Sequence, residues 1–268
     1  MKKKSILVTG ASGQLGKCLR KIESDYPELS FVFKDASQLD ITNKSAVFKL
    51  FDSFNFDFCI NCAAYTNVNE AEKNPKQAFR INEEGTGNIS ELCRQKEVVL
   101  LHISTDYVFD GEKGTPYTKD DMPNPINEYG KSKLAGERQI QQTTRRYYII
   151  RTSWLYSEFG KNFYTTILKL AKSNKILRVT DEQKGCPTNA NNLAAYLMQI
   201  IGNEIVLDYG IVHFTDCEPM TWFDFAKNII KENNLQNTVE VVRDKNNRTF
   251  VKRPKNSVLS IKNTQNQS

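Results

Sequence analysis

The sequence predicts an α/β protein with a doubly wound parallel sheet and a smaller C-terminal lobe. Through the first half of the chain, short apolar segments alternate with segments of helical periodicity. A glycine-rich turn joins the first apolar segment to the first helical segment. The length of 268 residues suits one large α/β domain, or a nucleotide domain with a small companion.

Five apolar segments of the first half are predicted strands: 5–9, 31–35, 57–63, 98–104 and 147–153. The first four are each followed by a predicted helix, at 14–24, 44–54, 75–95 and 127–142. Strands that are apolar on both faces and separated by helices indicate a parallel sheet covered on both sides. Right-handed crossovers between such strands then produce a doubly wound fold.

The regular alternation loosens after Trp154, which sets the predicted domain boundary. Residues 1–154 form the predicted nucleotide-binding domain. Residues 155–268 form mainly a substrate-binding lobe, with some segments returning to the main sheet. The predicted helices of this part are 162–172, 191–201 and 222–233, and its predicted strands are 176–180, 211–215 and 238–242.

Composition favours a cytoplasmic protein. No apolar run approaches the roughly 20 residues that span a bilayer, and the basic start is followed by too short an apolar stretch for a secretory signal. Cys59 and Cys62 form a CxxC within a predicted strand, where side chains three apart point to opposite faces. With only two histidines and no cluster of ligands, we expect no metal site, and we expect the six cysteines to be reduced thiols.

The net charge of +6 is concentrated near the C-terminus. The basic residues there are Arg243, Lys245, Arg248, Lys252, Arg253, Lys255 and Lys262. Such a cluster is a solvated face, a nucleic-acid patch or a phosphate site. It lacks interleaved aromatic residues and a recognition-helix pattern, so no nucleic-acid partner is expected.

The segment TGASGQLG, from Thr9 to Gly16, lies between the first strand and the first helix. Glycines at 10, 13 and 16 let the backbone turn tightly and approach a pyrophosphate, and the helix N-terminus supplies free N–H groups. The alternative is a purely structural turn. Its position at the first strand-to-helix connection favours a Rossmann dinucleotide site.

Asp35 ends the second strand, about 20 residues beyond the glycines, where an acidic residue usually meets the adenosine ribose. A carboxylate would favour NADH because it repels a 2′-phosphate, whereas the neighbouring Lys34 would do the reverse. Asp35 is alternatively an aspartate that starts a loop. The predicted cofactor is therefore NADPH or NADH.

Tyr129 and Lys133 stand four apart at the start of a predicted helix, so they share one helical face. A cationic lysine beside a tyrosine is expected to lower the tyrosine pKa. Such a tyrosine can give a proton to a carbonyl oxygen as hydride arrives. The preceding strand ends in Ser104-Thr105-Asp106, and strand C-termini face the ligand crevice in a doubly wound sheet. A hydroxyl there can bind the substrate oxygen.

At these residues the chain resembles the extended short-chain dehydrogenase/reductase superfamily, and more closely the dTDP-4-dehydrorhamnose reductases. The motifs that carry the resemblance are LDIT, INCAAYT, HISTDYVFDG, NEYGKSKLAGE, RTSWLYSEFGKNF, DEQKGCPT and KRP with a following serine. The similarity runs from residue 5 to about residue 260.

The resemblance implies a role for each matching residue. Tyr129 would be the proton donor, Lys133 would hold the nicotinamide ribose, and Thr105 would touch the reacting sugar oxygen. The residues around the cofactor would be Gly10, Gly13, Gln14, Leu15, Gly16, Asp35, Asp40, Ile41, Ala63, Ala64, Tyr65, Thr66, Tyr129 and Lys133. Those around the substrate would be Thr105, Asp106, Trp154 and Arg253, with Arg253 expected to recognise a diphosphate.

The sequence departs from the family in places: Asn67, Asn69 and Glu70 replace the usual small, acidic and basic residues after AAYT, and two further positions bear on assembly. Cys18 and Asn191 stand where some members carry glutamates that hold magnesium at a dimer interface. Thiol and amide groups are poor ligands for this hard cation, which prefers carboxylate oxygen. We therefore expect a monomer or a weak homodimer.

The resemblance implies reduction of dTDP-6-deoxy-L-lyxo-4-hexulose to dTDP-L-rhamnose, a nucleotide-sugar substrate whose diphosphate accounts for part of the basic charge. One alternative is another nucleotide-sugar 4-ketoreductase or epimerase. Another is a non-catalytic subunit like the regulatory subunit of methionine adenosyltransferase. The presence of Thr105, Tyr129 and Lys133 favours an enzyme, because a binding module has less need of them.

Overall fold

The computed structural model describes residues 3–245 and 249–261, so Arg248 and Lys262 of the basic cluster lie outside the described residues. The strands are β1 Lys4–Thr9, β2 Leu29–Lys34, β3 Phe58–Asn61, β4 Val99–Thr105, β5 Tyr147–Thr152, β6 Leu155–Tyr156, β7 Ile176–Val179, β8 Lys184–Gly185, β9 Thr188–Asn189, β10 Gly210–His213, β11 Met220–Thr221 and β12 Glu240–Arg243. The α-helices are α1 Gln14–Ile22, α2 Lys44–Ser53, α3 Val68–Lys73, α4 Pro75–Phe79, α5 Thr86–Gln95, α6 Glu128–Thr143, α7 Phe163–Ala171, α8 Ala190–Gly202 and α9 Trp222–Glu232.

The main sheet has six parallel strands in the order β10-β5-β4-β3-β1-β2. The chain moves outwards from β1 to β2, and then returns to build β3, β4 and β5 on the other side of β1. This change of direction opens a crevice at the carboxyl ends of β1 and β3, which is where ligands bind in open α/β sheets. The predicted fold class is confirmed.

The sheet is covered on both faces, which explains why its strands read as apolar throughout. In β1, Ile6, Leu7 and Val8 are fully buried. Ile6 and Val8 belong to the core formed with α1 and α8, whereas Leu7 packs on the opposite side with residues of α2 and α5. Burial of apolar surface stabilises a fold by about 25 cal/mol per Å². Both cores therefore help to hold in place the strand ends that form the site.

The C-terminal part of the chain contributes both to the sheet and to a separate small core. β10 pairs with β5 in parallel, and α8 packs against α1. The separate small core joins α7, α9 and the β7–β12 pair, and it buries Ile167, Phe225 and Ile229. The small lobe therefore lies after β5 and encloses the crevice from the side of Trp154 and Trp222.

The structure differs from the sequence-based prediction in the region 68–95. The predicted helix over 75–95 is present as one continuous helical run, in which a π-helical segment at Arg80–Gly85 joins α4 to α5. The preceding helix α3 was not predicted. Asn67 and Asn74 cap the two short helices by accepting hydrogen bonds from Glu70 N and Gln77 N.

A buried ion pair joins α6 to β5. The Arg151 guanidinium donates to both carboxylate oxygens of Glu137, at 3.0 and 2.7 Å, and Ser104 also donates to this carboxylate. Glu137 and Arg151 are 0% and 1% exposed. Because α6 carries Tyr129 and Lys133, this pair fixes the helix that positions them.

We expect Glu137→Gln to lower the free energy of unfolding by about 3–5 kcal/mol, because it leaves the Arg151 charge buried and unpaired. Urea unfolding measures this change. The matched control is Glu70→Gln, which removes an exposed pair with Lys73 and is expected to cost less than about 0.5 kcal/mol. Equal effects in the two variants would contradict the structural role of the buried pair.

Candidate active site

A cavity of about 540 Å³ lies at the carboxyl ends of β1, β3, β4 and β5. It brings together the glycine loop, the end of β4, the first turns of α6 and the segment that follows β5. Its lining therefore joins a dinucleotide-type loop to polar groups from two other elements. These are the groups that the sequence placed in one site.

The glycine loop is built as a close backbone approach. Gly10 has a φ of 63°, and a side chain there would lie 2.7 Å from the backbone of Ala63. A side chain at Gly16 would lie 2.6 Å from Ala11 Cα, so α1 packs directly on the loop. At Gly13 the nearest atom to an added Cβ is Gly10 O, at 3.1 Å. Gly13 therefore faces the cavity, whereas Gly10 and Gly16 allow the loop to fold.

The first turn of α1 is suited to an anion. Gly13 is its N-cap, no side chain caps it, and it contains no acidic residue. Its free N–H groups and the positive end of the helix dipole point to the cavity side of the loop. This cradle fits the pyrophosphate of a dinucleotide cofactor, which supports the residues predicted to hold it.

Gln14 connects the glycine loop to the small lobe. Its Oε1 accepts a hydrogen bond of 2.5 Å from Asn162, and its Nε2 donates to Leu155 O at 3.0 Å. Asn162 also caps α7 through Thr165 N. Gln14 was predicted to cradle phosphates, and in this structure its side-chain amide bridges the two parts of the chain beside the cavity.

The end of β4 and the start of α6 bring the predicted catalytic residues together. Asn127 caps α6 by accepting from Gly130 N at 2.9 Å. A side chain at Gly130 would lie 2.1 Å from Tyr107 O, so only glycine lets α6 begin this close to the turn after β4. Thr105, Tyr129 and Lys133 consequently line the same cavity.

Burial raises the pKa of Tyr129 to about 12, although hydrogen bonding with Thr105 lowers it and the nearby Asp106 raises it further. The sequence-based expectation that Lys133 would lower this pKa was wrong for the described structure. The Lys133 amine is instead held by Ile103 O, at 2.7 Å, and by His102. The phenol is therefore protonated at neutral pH, which is the state that a proton donor needs.

Burial lowers the pKa of Lys133 to about 8, against the opposing effects of Glu137 and Cys62. Burial also raises the pKa of Asp106 to about 7, despite hydrogen bonding with Ser257 and Thr105. The Thr105 hydroxyl donates to Asp106 Oδ1 at 3.1 Å. Two groups in the cavity thus have pKa values near neutrality, as is common at functional sites.

Trp154 lines the cavity together with Trp222, which the sequence analysis missed. The two indoles are stacked, with centroids 3.5 Å apart and planes within 6°. Trp154 has a φ of 47°, and its ring lies where a side chain at Gly185 would be. Trp222 comes from α9, 68 residues along the chain, so no local sequence signal linked the two residues.

The remaining predicted cofactor residues divide into two groups. Ala64 and Thr66 line the cavity with Leu15, whereas Ala63 and Tyr65 contribute backbone contacts. Ala63 and Tyr65 are not among the lining residues, and neither are Asp35, Asp40 and Ile41. Asp35 accepts hydrogen bonds from Ser37 and Gln38, and Asp40 accepts from Thr42, so both carboxylates cap turns. Ile41 is buried against Gly85.

Arg253 does not line the cavity either. Its guanidinium donates to Asn69 Oδ1 at 3.0 Å and to Val251 O at 3.4 Å. It also interacts with the hydroxyl of Tyr107, whose ring packs edge-on against Tyr129 at 5.8 Å. Arg253 therefore reaches the predicted proton donor, Tyr129, through Tyr107.

Three further features bear on the kind of site. Within residues 3–245 and 249–261, no three His, Cys, Asp or Glu side chains are grouped so as to hold a metal ion. Over the same residues, no helix is both long and apolar enough to span a membrane. All six cysteines are free thiols.

Comparison with known proteins confirms the family resemblance. Residues 3–268 match the family model described as the RmlD substrate binding domain. A dTDP-4-dehydrorhamnose reductase of Aggregatibacter actinomycetemcomitans is 40% identical over 265 residues, which cover 96% of this chain and 90% of the relative. The spore coat polysaccharide biosynthesis protein SpsK of Bacillus subtilis is 35% identical over 257 residues, covering 95% and 88%.

Comparison with solved structures supports the same family. The crystal structure of dTDP-4-dehydrorhamnose reductase from Bacillus anthracis in complex with NADP has a TM-score of 0.92 and 35% identity, covering 97% of this chain and 91% of that one. A UDP-glucose 4-epimerase of Thermus thermophilus in complex with NAD has a TM-score of 0.76 at 21% identity, which shows a shared fold alone.

Proposed function

Because this chain belongs to the family of dTDP-4-dehydrorhamnose reductases, we propose that it reduces the 4-keto group of dTDP-6-deoxy-L-lyxo-4-hexulose to give dTDP-L-rhamnose. The observation that carries the proposal is the single cavity in which the glycine loop meets Thr105, Tyr129 and Lys133. The cofactor is NADPH or NADH, in agreement with the NADP held by the Bacillus anthracis relative.

The residues of the chain divide the reaction between them. When bound, the reduced nicotinamide supplies the hydride. Tyr129 Oη donates its proton to the sugar O4, and the Thr105 hydroxyl binds the same oxygen and stabilises the charge that develops there. Lys133, with its pKa of about 8, is largely cationic at neutral pH and holds the nicotinamide ribose.

The substrate side of the cavity is formed by Asp106, Trp154 and Trp222. Stacked indoles provide a flat apolar surface, which suits the face of a deoxysugar or a base. Asp106 is 2% exposed and accepts the Thr105 hydroxyl proton when no substrate is bound. The hydroxyl has only one proton, so it must turn from Asp106 to the sugar O4 when the substrate binds. The six free thiols are consistent with a cytoplasmic enzyme, which we also propose.

An epimerase and a non-catalytic subunit are the competing functions. An epimerase would interconvert sugar nucleotides without net loss of reduced cofactor. A binding subunit would leave the keto sugar unchanged. Incubation with the 4-keto sugar nucleotide and NADPH, followed by NMR of the product, distinguishes the three. We expect one reduced cofactor consumed for each molecule of 6-deoxysugar formed.

Arg253 is the proposed contact for the substrate diphosphate, since a guanidinium grips phosphate through paired hydrogen bonds. We expect Arg253→Ala to raise KM about tenfold or more, because a remote contact stabilises ground and transition states alike. The cofactor Kd should stay unchanged. Arg253→Lys keeps the positive charge but loses the paired hydrogen bonds, so its KM should lie between those of the wild type and Arg253→Ala. Wild-type constants in both variants would leave Arg253 with only its contacts inside the protein, to Asn69, Val251 and Tyr107.

We propose that magnesium does not drive assembly. Cys18 is fully buried in the core, and the Asn191 amide donates to Glu158, which also pairs with Lys21. Sedimentation with magnesium and with chelator should therefore give the same mass, that of a monomer or a weakly associating dimer. A magnesium-dependent dimer that dissociates on chelation would contradict this.

A further inference from the structure

A row of buried polar side chains runs beneath the floor of the cavity. The Thr9 hydroxyl donates to Asn61 Oδ1 at 2.6 Å, and Asn61 Nδ2 lies 3.1 Å from His102 Nδ1. The other ring nitrogen, His102 Nε2, lies 3.1 Å from the amine of Lys133. None of these four residues is more than 2% exposed.

The register of the sheet creates this row. Thr9 of β1 is paired with Asn61 of β3, and Asn61 is paired with His102 of β4. Residues paired in adjacent parallel strands point to the same face, so the three side chains lie side by side. Lys133 reaches the row from α6, which covers that face. The row thus joins the residue before the glycine loop to the proposed cofactor-binding lysine.

The environment keeps the imidazole neutral. Burial, and secondarily the charge of Lys133, holds the pKa of His102 well below its usual range. The other ionisable groups around the amine are Glu137, which is paired with Arg151, and the thiol of Cys62. With Lys133 cationic, Nε2 of the neutral ring accepts from the amine and Nδ1 carries the ring proton. The Nδ1–H then donates to the side-chain amide of Asn61, which must turn its oxygen to the ring. In this arrangement His102 bonds both neighbours without adding a second positive charge beside Lys133.

We propose that His102 is a positioning residue: a neutral imidazole that fixes the Lys133 amine and ties it, through Asn61 and Thr9, to the base of the glycine loop. The amine nitrogen has three positions besides its bond to carbon. Ile103 O and His102 Nε2 take two of them, which leaves the third for the cavity that Lys133 lines. The catalytic part of this proposal rests on the proposed function, whereas the coupling of the two side chains does not.

NMR tests the coupling without any turnover. The chain contains two histidines, so protein labelled with ¹⁵N-histidine gives signals from only two rings. His213→Phe, on β10, removes the other set and assigns them. From about pH 6 to about pH 10, we expect the His102 ring to stay neutral, in contrast to an unperturbed histidine with a pKa of about 6.5. The nitrogen signals of His102 should nevertheless shift near pH 8, where the Lys133 amine loses its proton. Lys133→Met should abolish this shift.

Kinetics test the positioning role. We expect His102→Phe to lower kcat by about 10- to 100-fold, since misplacing a functional group by about 1 Å can cost ~10²-fold. It should also move the limb of the kcat–pH profile that reports Lys133. His102→Gln, whose amide can bond both neighbours, should recover most of kcat and the wild-type limb. His213→Phe, which also removes a buried imidazole, is the control with near-wild-type kcat.

The two experiments separate the possible failures. The proposal would be overturned, whatever the activity, if the His102 ring titrated like an exposed histidine. It would also be overturned if the shift of its signals near pH 8 persisted in Lys133→Met. An unchanged pH limb in a folded His102→Phe variant would overturn it as well. If the NMR coupling is observed but the wild-type protein reduces no keto sugar, the proposed function fails and the link between His102 and Lys133 stands.

Discussion

Tyr129→Phe is expected to lower kcat by about 10²–10⁴-fold, the usual contribution of general acid catalysis. The substitution removes only the phenolic hydroxyl and keeps the ring contact with Tyr107. Burial raises the pKa of Tyr129 to about 12, so the wild-type phenol is protonated throughout the neutral range. It therefore needs no other group to keep it protonated before the reaction. Steady-state kinetics with saturating cofactor measure the effect.

The control for this substitution is Tyr209→Phe, which removes a hydroxyl from a tyrosine that is 48% exposed and absent from the cavity lining. Tyr209 directly precedes β10, at the amino end of that strand, whereas the cavity lies at the carboxyl ends of the sheet strands. Its kcat should equal that of the wild type. The cofactor Kd of Tyr129→Phe, measured by fluorescence titration, should change little. Near-normal turnover would transfer the role of acid to another group, and Asp106, with a pKa of about 7, would be the first to examine.

Gly13→Val is expected to weaken binding of NADPH by about 100-fold or more, which corresponds to about 2.8 kcal/mol. Hydrogen bonds to a charged group contribute about 1.5–3 kcal/mol each, and a side chain at Gly13 keeps the diphosphate away from the free N–H groups of α1. The φ of −72° at Gly13 allows a side chain, and the added Cβ makes one tight contact, 3.1 Å from Gly10 O. Isothermal titration with NADPH measures the loss.

Gly114→Val is the matched control, since an added Cβ at Gly114 has no atom within 4 Å. It should bind NADPH as the wild type does. Circular dichroism and the thermal midpoint Tm should show that both variants are folded. A folded Gly13→Val protein with unchanged affinity would mean that the cofactor does not lie on the glycine loop.

The fold was predictable because its signals are local. Apolar strands, helical periodicity and the TGASGQLG turn are all read within a few residues, and the main sheet strands lie within about two residues of their predicted positions. The π-helical segment at Arg80–Gly85 was not predictable in this way. Within it, the Asn82 side chain bonds Tyr65 and Ser132, and these partners are distant in sequence.

The candidate site was predicted in part for the same reason. Tyr129 and Lys133 lie one helical turn apart, and Thr105 ends a strand, so their spacing carries the information. Trp222 and His102 acquire their roles only through tertiary contacts, with Trp154 and with Lys133. The predicted direction of the Tyr129 pKa shift was wrong: the pKa is raised by burial, which outweighs the lowering expected of a neighbouring positive charge.

This chain is proposed to reduce a dTDP-linked 4-keto sugar. The most direct measurement mixes the protein with dTDP-6-deoxy-L-lyxo-4-hexulose and either NADPH or NADH, and follows the loss of reduced-nicotinamide absorbance. We expect loss that depends on both the sugar nucleotide and the protein, and that falls to near background in Tyr129→Phe. Undiminished absorbance with wild-type protein that binds NADPH would contradict the account.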